Sequence, residues 1–431
     1  MKRIAMISEH ASPLACLGGT DSGGQNVYVA QVARHLARQG YAVDVFTRRD
    51  EPSQQTVVDF EPGLRVIHVP AGPARAISKE DLLPLMAPFA VWMQKFLQKN
   101  GGYDLIHANF FMSGMVASRL KTLLGIPFVI TFHALGKVRQ LHQGAADRFP
   151  AERNQIETDL MAHADRIIAE CPQDREDQIS LYGADASKIR MVPCGFDHQE
   201  FQPMNRRKAR QFIGRHPDEN LVVHIGRMVR RKGVDNVIRG FARLRQHYEQ
   251  HVRLLVVGGE SDEPDPTITP EIGYLQQVAR DEGVADSVTF TGRRGRDVLR
   301  YYYCAADVFV TTPWYEPFGI TPVESMACGT PVIGSNVGGI KYSVMDNGTG
   351  LLVPPNDPET LGRALLKLSR DPMLRERFSR LAVKRANAVF TWSRISGAIA
   401  ELFEDVLASS VSPSMAPLLD GGSPLILKRQ A

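Results

Sequence analysis

The chain has 431 residues, 43% hydrophobic and 23% charged, with a formal net charge of +4. That length suits two domains of ordinary size, the make-up is that of a globular protein, and the small net charge gives no case for a nucleic-acid partner. No stretch approaches the roughly 20 apolar residues that span a bilayer, and five scattered cysteines with neither a C-x-x-C pair nor metal-ligand spacing read as reduced thiols of a cytoplasmic protein.

The chain opens with a short apolar run before Glu9 and His10, which reads as a strand, Ile4–Ser8, and not as a signal peptide. A glycine-rich loop follows, Gly18-Gly19-Thr20-Asp21-Ser22-Gly23-Gly24-Gln25-Asn26. The helix 26–39 comes next, with Val27, Val29, Ala30, Ala33, Leu36 and Ala37 at helical spacing. Further strands are predicted at 43–47, 65–69, 105–107, 128–132, 166–169 and 189–192. Most are continuous apolar runs, as expected of a parallel sheet covered on both faces.

After Cys194-Gly195-Phe196-Asp197 the pattern restarts. Strands are predicted at 221–226, 254–258, 288–291, 308–311, 332–334 and 351–353, and helices at 234–247, 270–282, 296–305, 322–327, 358–370 and 372–389. Two successive βα series imply an α/β fold of two doubly wound Rossmann-like domains facing across a cleft. Their expected extents are 1–197 and 198–390, followed by a helix within 391–408 and a Ser-, Pro- and Gly-rich tail, 409–431, that reads as disordered.

Chemistry concentrates at a few loops. Glu316-Pro317-Phe318-Gly319-Ile320-Thr321 follows the strand 308–311, and the helix is expected to start at Pro322, since proline suits a first helical position. Backbone N–H groups of Gly319, Ile320 and Thr321 at the positive end of a helix make a phosphate site at the carboxyl edge of a sheet. Glu324 has a structural alternative: with Thr321 it fits a capping box. Glu316 is harder to explain structurally. As a hydrolytic pair the two glutamates would be acid and nucleophile, but carboxylates beside a phosphate-binding helix start suit hydroxyl binding better. Upstream, Gly226-Arg227-Met-Val-Arg-Arg-Lys232-Gly233 offers Arg227 and Lys232 to neutralise a diphosphate, or else forms a solvated basic turn. Gly23 and Gly24 resemble a phosphate-cradling loop, but G-x-G-x-x-G does not follow the strand directly and no acid closes the next strand, which disfavours an NAD enzyme. His133 directly follows the strand 128–132 and faces the expected cleft, and His107 has a similar placement.

The segments Glu316…Glu324 and Gly226-Arg227…Lys232-Gly233 resemble the paired E-x7-E and G-R-x4-K-G signatures of the retaining, nucleotide-sugar-dependent glycosyltransferases of family 4, which have the GT-B fold. The resemblance spans about residues 1–405. It implies that Arg227 and Lys232 hold the donor diphosphate, Glu324 the ribose hydroxyls and Glu316 the donor sugar. It further implies that Phe318, Gly319, Ile320 and Thr321 contact sugar and phosphate, that Arg294 lies near the base, and that a closing helix crosses back to the first domain. His133 stands where family members place a histidine against the donor sugar and reacting centre. Gly24 falls on the donor side, and Gly23 and Asn26 on the acceptor side.

Within the family, the Asp-Ser-Gly-Gly-Gln loop and Phe132-His133-Ala-Leu-Gly136 resemble the sucrose-phosphate synthases and the inositol-phosphate glycosyltransferases of mycothiol synthesis. Both use phosphorylated acceptors. Lys79 and Arg153 fall where the second branch places two acceptor-phosphate ligands, or else are ordinary surface charge. That branch's Tyr and Thr are replaced by Phe110 and Ala134, which sets inositol phosphate in doubt.

The implied reaction moves a hexosyl group, with UDP the expected nucleotide, to a small polar acceptor with retention, and needs no metal and no cofactor. Two rivals stand beside it. A membrane-surface transferase would want a basic amphipathic helix in the first domain, where 94–100 offers only two lysines. A non-catalytic sugar-nucleotide-binding protein would not need cleft motifs in both halves.

Overall fold

The computed structural model describes residues 1–15, 23–248 and 251–410, the last without its side chain. Cys16, the stretch Gly18–Ser22 of the glycine-rich loop and the tail beyond 410 lie outside the described residues.

The first sheet contains β1 (Arg3–Ile7), β2 (Ala42–Arg48), β3 (Val57–Glu61), β4 (Leu64–Val69), β5 (Leu105–Asn109), β6 (Phe128–Thr131), β7 (Arg166–Ala169) and β8 (Ile189–Met191). Their order is β3-β4-β2-β1-β5-β6-β7-β8, parallel throughout except for β3. The antiparallel edge strand β3 has no sequence counterpart above. None of its five residues is fully buried, so no apolar run marks it. Ile4 to Ile7 of β1 are completely buried between β2 and β5, which is why that strand reads as an unbroken apolar run.

The second sheet has β9 (Asn220–Ile225), β10 (Val252–Val257), β11 (Val288–Gly292), β12 (Val308–Thr311), β13 (Val332–Ser335) and β14 (Gly350–Val353), in the all-parallel order β11-β10-β9-β12-β13-β14. The molecule therefore has two α/β domains. Each sheet reverses its strand order at one place: between β1 and β5 in the first, and between β9 and β12 in the second. Ligands bind outside the carboxyl ends of strands at such points, and here both points open onto one cavity.

The chain crosses between the domains near Phe196 and again near Thr391, and the crossings are bonded to each other, Phe196 N–H to Phe390 O at 2.8 Å and Trp392 N–H to Phe196 O at 3.2 Å. Gly195 is required there, because a Cβ would sit 2.9 Å from Phe390 O and from the Trp392 ring. The last helix, Trp392–Ser410, then lies on the first domain. Ile395, Ile399, Leu402, Phe403 and Val406 form its buried stripe, each side chain contributing about 1.5–3 kcal/mol. Trp392 meets Tyr28 edge to face at 5.9 Å, and Phe403 meets His107 at 5.5 Å. No helix among the described residues is long and apolar enough to cross a membrane.

Candidate active site

A cavity of about 300 Å³ lies between the two domains and is lined from both sides. The helix that carries the motif starts at Ile320, two residues before the expected Pro322, and runs Ile320–Ala327. Its entry residue is Gly319, with φ +89°, a conformation that side-chain-bearing residues adopt at a cost of about 1–2 kcal/mol. The loop after β13, invisible as a motif, lies directly against this turn. A Cβ on Gly338 would fall 1.9 Å from Glu316 O, and one on Gly339 2.3 Å from Phe318 Cα. Gly339 N–H also donates to Glu316 O at 3.1 Å, so two glycines fix the path of the segment between Glu316 and Gly319.

The capping alternative for Glu324 fails. With the helix starting at Ile320, Thr321 is already inside it. The buried Glu324 carboxylate instead accepts from Arg296 Nη1 and Tyr303 Oη, each at 2.9 Å. Arg296 is braced in turn by Glu200 at 2.7 Å and lies over the Phe201 ring. Each carboxylate oxygen keeps a free lone pair, and Glu324 still lines the cavity.

Lys232 is ion-paired with Glu316, and Arg231 Nη1 lies 3.9 Å from the same carboxylate oxygen. Burial above all, followed by the like charges of Arg231 and Arg227, pulls the Lys232 ammonium down to about 8 against the opposing Glu316. Burial pushes the Glu316 carboxyl up, yet Lys232, Arg231 and Arg227 together hold it below its ordinary range. Arg227 reaches across the cleft: a Cβ on Gly23 would lie 3.6 Å from its side chain, and one on Gly24 3.6 Å from Ile320 Cδ1. The first-domain helix, predicted to start at Asn26, begins at Gly24. Asn26 lines the cavity, but its amide is engaged, Oδ1 accepting from Gly23 N–H at 2.9 Å and Nδ2 donating to Ser12 O at 3.0 Å.

On the opposite wall His133 has φ +57°, unusual for a residue with a side chain. Its Nδ1 faces Glu170 Oε1 at 2.9 Å and its Nε2 faces Asn109 Oδ1 at 3.1 Å, while Tyr28 packs edge-on at 4.7 Å. Glu170 also accepts from Cys194 Sγ at 3.0 Å. Behind it, burial and then the Glu170 charge push the Asp174 carboxyl up to about 8. His107 is no part of the cavity wall. It is completely buried against Thr131, and burial takes its imidazole down to about 3.

Lys79 and Arg294 line the cavity; Arg153 does not. Arg153 is 1% exposed, ion-paired with Glu157 at 2.7 Å, bonded to Ala134 O, and enclosed by the rings of Phe110, Phe111 and Phe149 at 4.4–4.9 Å. It is not surface charge: it lies behind the cavity-lining residues Phe110, Ala134 and Phe149, with its Nη1 buried and without a hydrogen-bond partner among the described residues. A different cation, Arg139, occupies the wall beside Lys79 and is held to Asp147 at 2.8 Å. Arg294 is anchored by Tyr302 Oη at 3.1 Å and by Asp262 O at 2.7 Å. Sequence reading also missed Arg231, Tyr315 and His224 among the lining residues. Arg231 fills a variable position of the Gly226–Gly233 motif, and Tyr315 and His224 belong to no motif.

The family model described as "Glycosyltransferase Family 4" matches residues 22–200, and that described as "Glycosyl transferases group 1" matches residues 205–385. The chain is 35% identical over 408 residues to D-inositol 3-phosphate glycosyltransferase 2 of Catenulispora acidiphila, covering 93% of this chain and 94% of that one. It is 37% identical over 416 residues to the D-inositol 3-phosphate glycosyltransferase of Acidothermus cellulolyticus, covering 94% and 91%. Among solved structures, sucrose-phosphate synthase from Thermosynechococcus elongatus is similar with a TM-score of 0.87 and 33% identity over 95% of this chain and all of that one. Anabaena HepE in complex with UDP-glucose shares the fold, with a TM-score of 0.73 and 21% identity over 94% of this chain and all of that one.

Proposed function

The chain belongs to the family-4 glycosyltransferases of the GT-B fold, and from that premise we propose that it moves a hexosyl group from a UDP-linked donor to a small phosphorylated acceptor, with retention at the anomeric carbon. The observation that carries this is the convergence, in one cavity, of Lys232, Arg227, Glu316 and the Gly319 helix start with His133 from the other domain. Arg227, Lys232 and the N–H groups of Ile320 and Thr321 stabilise charge that develops on the departing diphosphate. Glu316 and Glu324 accept hydrogen bonds from donor-sugar and ribose hydroxyls, and His133 lies against the donor sugar at the reacting centre. The acceptor hydroxyl attacks from the face that the diphosphate leaves. Its oxygen bonds to the anomeric carbon as the carbon–phosphate-oxygen bond breaks, and a leaving phosphate oxygen takes the proton. In this reading protein cations do the work of charge neutralisation, with no metal or cofactor in any step.

Lys79 and Arg139, on the wall beside His133, suit an anionic acceptor. Phe110 and Ala134 offer no side-chain hydroxyl there, which favours a phosphorylated sugar over inositol phosphate. The test is a screen of UDP-glucose, ADP-glucose, GDP-mannose and UDP-N-acetylglucosamine against fructose 6-phosphate, inositol phosphate and free sugars, with product anomers read by NMR. Transfer to a sugar phosphate with retention is expected. Transfer only to unphosphorylated or lipid acceptors refutes the acceptor class, and an inverted product refutes the mechanism.

A further inference from the structure

Tyr315 is the second-domain residue just before Glu316, and it is held from the other domain. Its ring stacks on His142 at 5.0 Å and 20°, and its hydroxyl accepts from Gln143 Nε2 at 2.5 Å. Both partners end the helix Gly136–Gln143, which begins three positions after His133. That helix buries only Gly136, and Leu141 on it is 72% exposed. Core packing therefore does little to fix its far end. The Arg231 guanidinium also lies over the Tyr315 ring, 5.2 Å from its centroid, and approaches Glu316. Two residues along, Cys171 Sγ of the first domain donates to Pro317 O at 3.3 Å. Glu316 is thus bracketed: the residues before and after it are both held by the opposite domain.

We propose that Tyr315 is a positioning residue that transmits closure of the cleft to Glu316, with His142 and Gln143 as its clasp. Opening the cleft must break the stack and the hydrogen bond at 315 together with the bond at 317, so closure adds restraints from the first domain to a Glu316 that Lys232 and Gly339 already hold within the second. The same clasp ties Glu316 to the helix that leads out of His133, which brings one group from each domain into register. The inference rests on the transfer reaction proposed above.

His142 and Gln143 do not line the cavity, so loss of activity on altering them is no loss of substrate contact. For Gln143→Ala, His142→Ala and Tyr315→Phe we expect kcat to fall about 3- to 10-fold, in line with one hydrogen bond or ring contact, while UDP affinity stays within about twofold. The pair Gln143→Ala/Tyr315→Phe should lose no more than either single change, since both remove one bond. Donor hydrolysis without acceptor should rise relative to transfer as water enters a looser cleft. Unchanged kcat in Gln143→Ala and His142→Ala, or losses that multiply in the pair, overturn the clasp. Small-angle scattering of the UDP complex gives a readout independent of activity: Tyr315→Ala should expand relative to the unaltered protein, and an unchanged radius of gyration overturns the proposal. Should the unaltered protein transfer no sugar at all, the proposed function falls, and scattering alone decides the clasp.

Discussion

Lys232 gives the donor site a pH limit whose size follows from its surroundings. In the free protein its ammonium is pulled down to about 8 from the ordinary 10.5, because it is buried beside Arg231 and Arg227 with Glu316 as its partner. A bound diphosphate adds negative charge beside it and restores the higher value, so binding takes up a proton wherever the free lysine is neutral. Below about pH 7 affinity should be flat. Between pH 7 and pH 9 it should fall about tenfold, because roughly nine molecules in ten have lost the proton by pH 9. Titration calorimetry with a UDP-sugar at pH 7, 8 and 9, in two buffers of different ionisation enthalpy, reads both the affinity and an uptake of close to one proton at pH 9. Lys232→Arg, charged across the whole range, should lose the pH slope and corrects for ionisation of the donor itself. Folding stability carries the opposite slope. The depressed lysine costs stability below pH 8, and that cost shrinks as pH rises toward 10.5. Flat affinity in the unaltered protein, with no proton uptake, would refute the placement of the diphosphate on Lys232.

Other outcomes follow from the same geometry. Glu170→Gln removes the carboxylate that holds His133 Nδ1 and should lower kcat at least tenfold with little change in UDP affinity; His133→Ala should cost about 10²–10³ in kcat, and unaffected turnover in both denies the histidine its role. Arg153→Ala leaves Glu157 buried and uncompensated and should destabilise the fold by about 3–5 kcal/mol in denaturant melts. Lys79→Ala and Arg139→Ala should instead leave the melt nearly unchanged and raise the acceptor KM; the reverse pattern would put Arg153 back in the acceptor site. Gly339→Ala drives a methyl into the Phe318 backbone and should abolish transfer while UDP binding weakens, whereas Gly283→Ala, at positive φ but in open space, should cost only stability.

Most of the strands that could be read from the chain were those buried on both faces, although the edge strands β8 and β11 were read despite their half-buried or exposed positions. The apolar run Arg166–Ala169 coincides with β7, and Val308–Thr311 with β12. The half-exposed β3 carried no such run. At the site, Glu316, Lys232, Arg227, Gly319 and His133 could be read because their spacing is set by one loop or one strand end, a local property. Local rules also misled: Pro322 suggested a first helical position and Thr321 with Glu324 a capping box, but the glycine loop at 338–339 shifts the turn so that the helix starts at Ile320. The burial of Arg153 was illegible for a different reason. Three phenylalanines and Glu157, far apart or unremarkable in the chain, close around it, and charge alone gives no sign of such enclosure. Tyr315 owes its place to the meeting of two domains, which no single stretch of sequence encodes.

The helix Trp392–Ser410 bears on the order in which the protein can mature during synthesis. Its apolar stripe completes the core over Tyr28 and His107, so residues made after the whole second domain finish the domain made before it. A nascent chain of 200 residues would hold the whole first sheet while exposing the face that Trp392, Ile399 and Phe403 later cover. That face stays open to chaperones, and to association with other nascent chains, until the second domain has also emerged from the ribosome. A gene fragment ending after the first sheet should accordingly give an aggregating product, and supplying residues 390–410 as a separate peptide should restore part of its solubility.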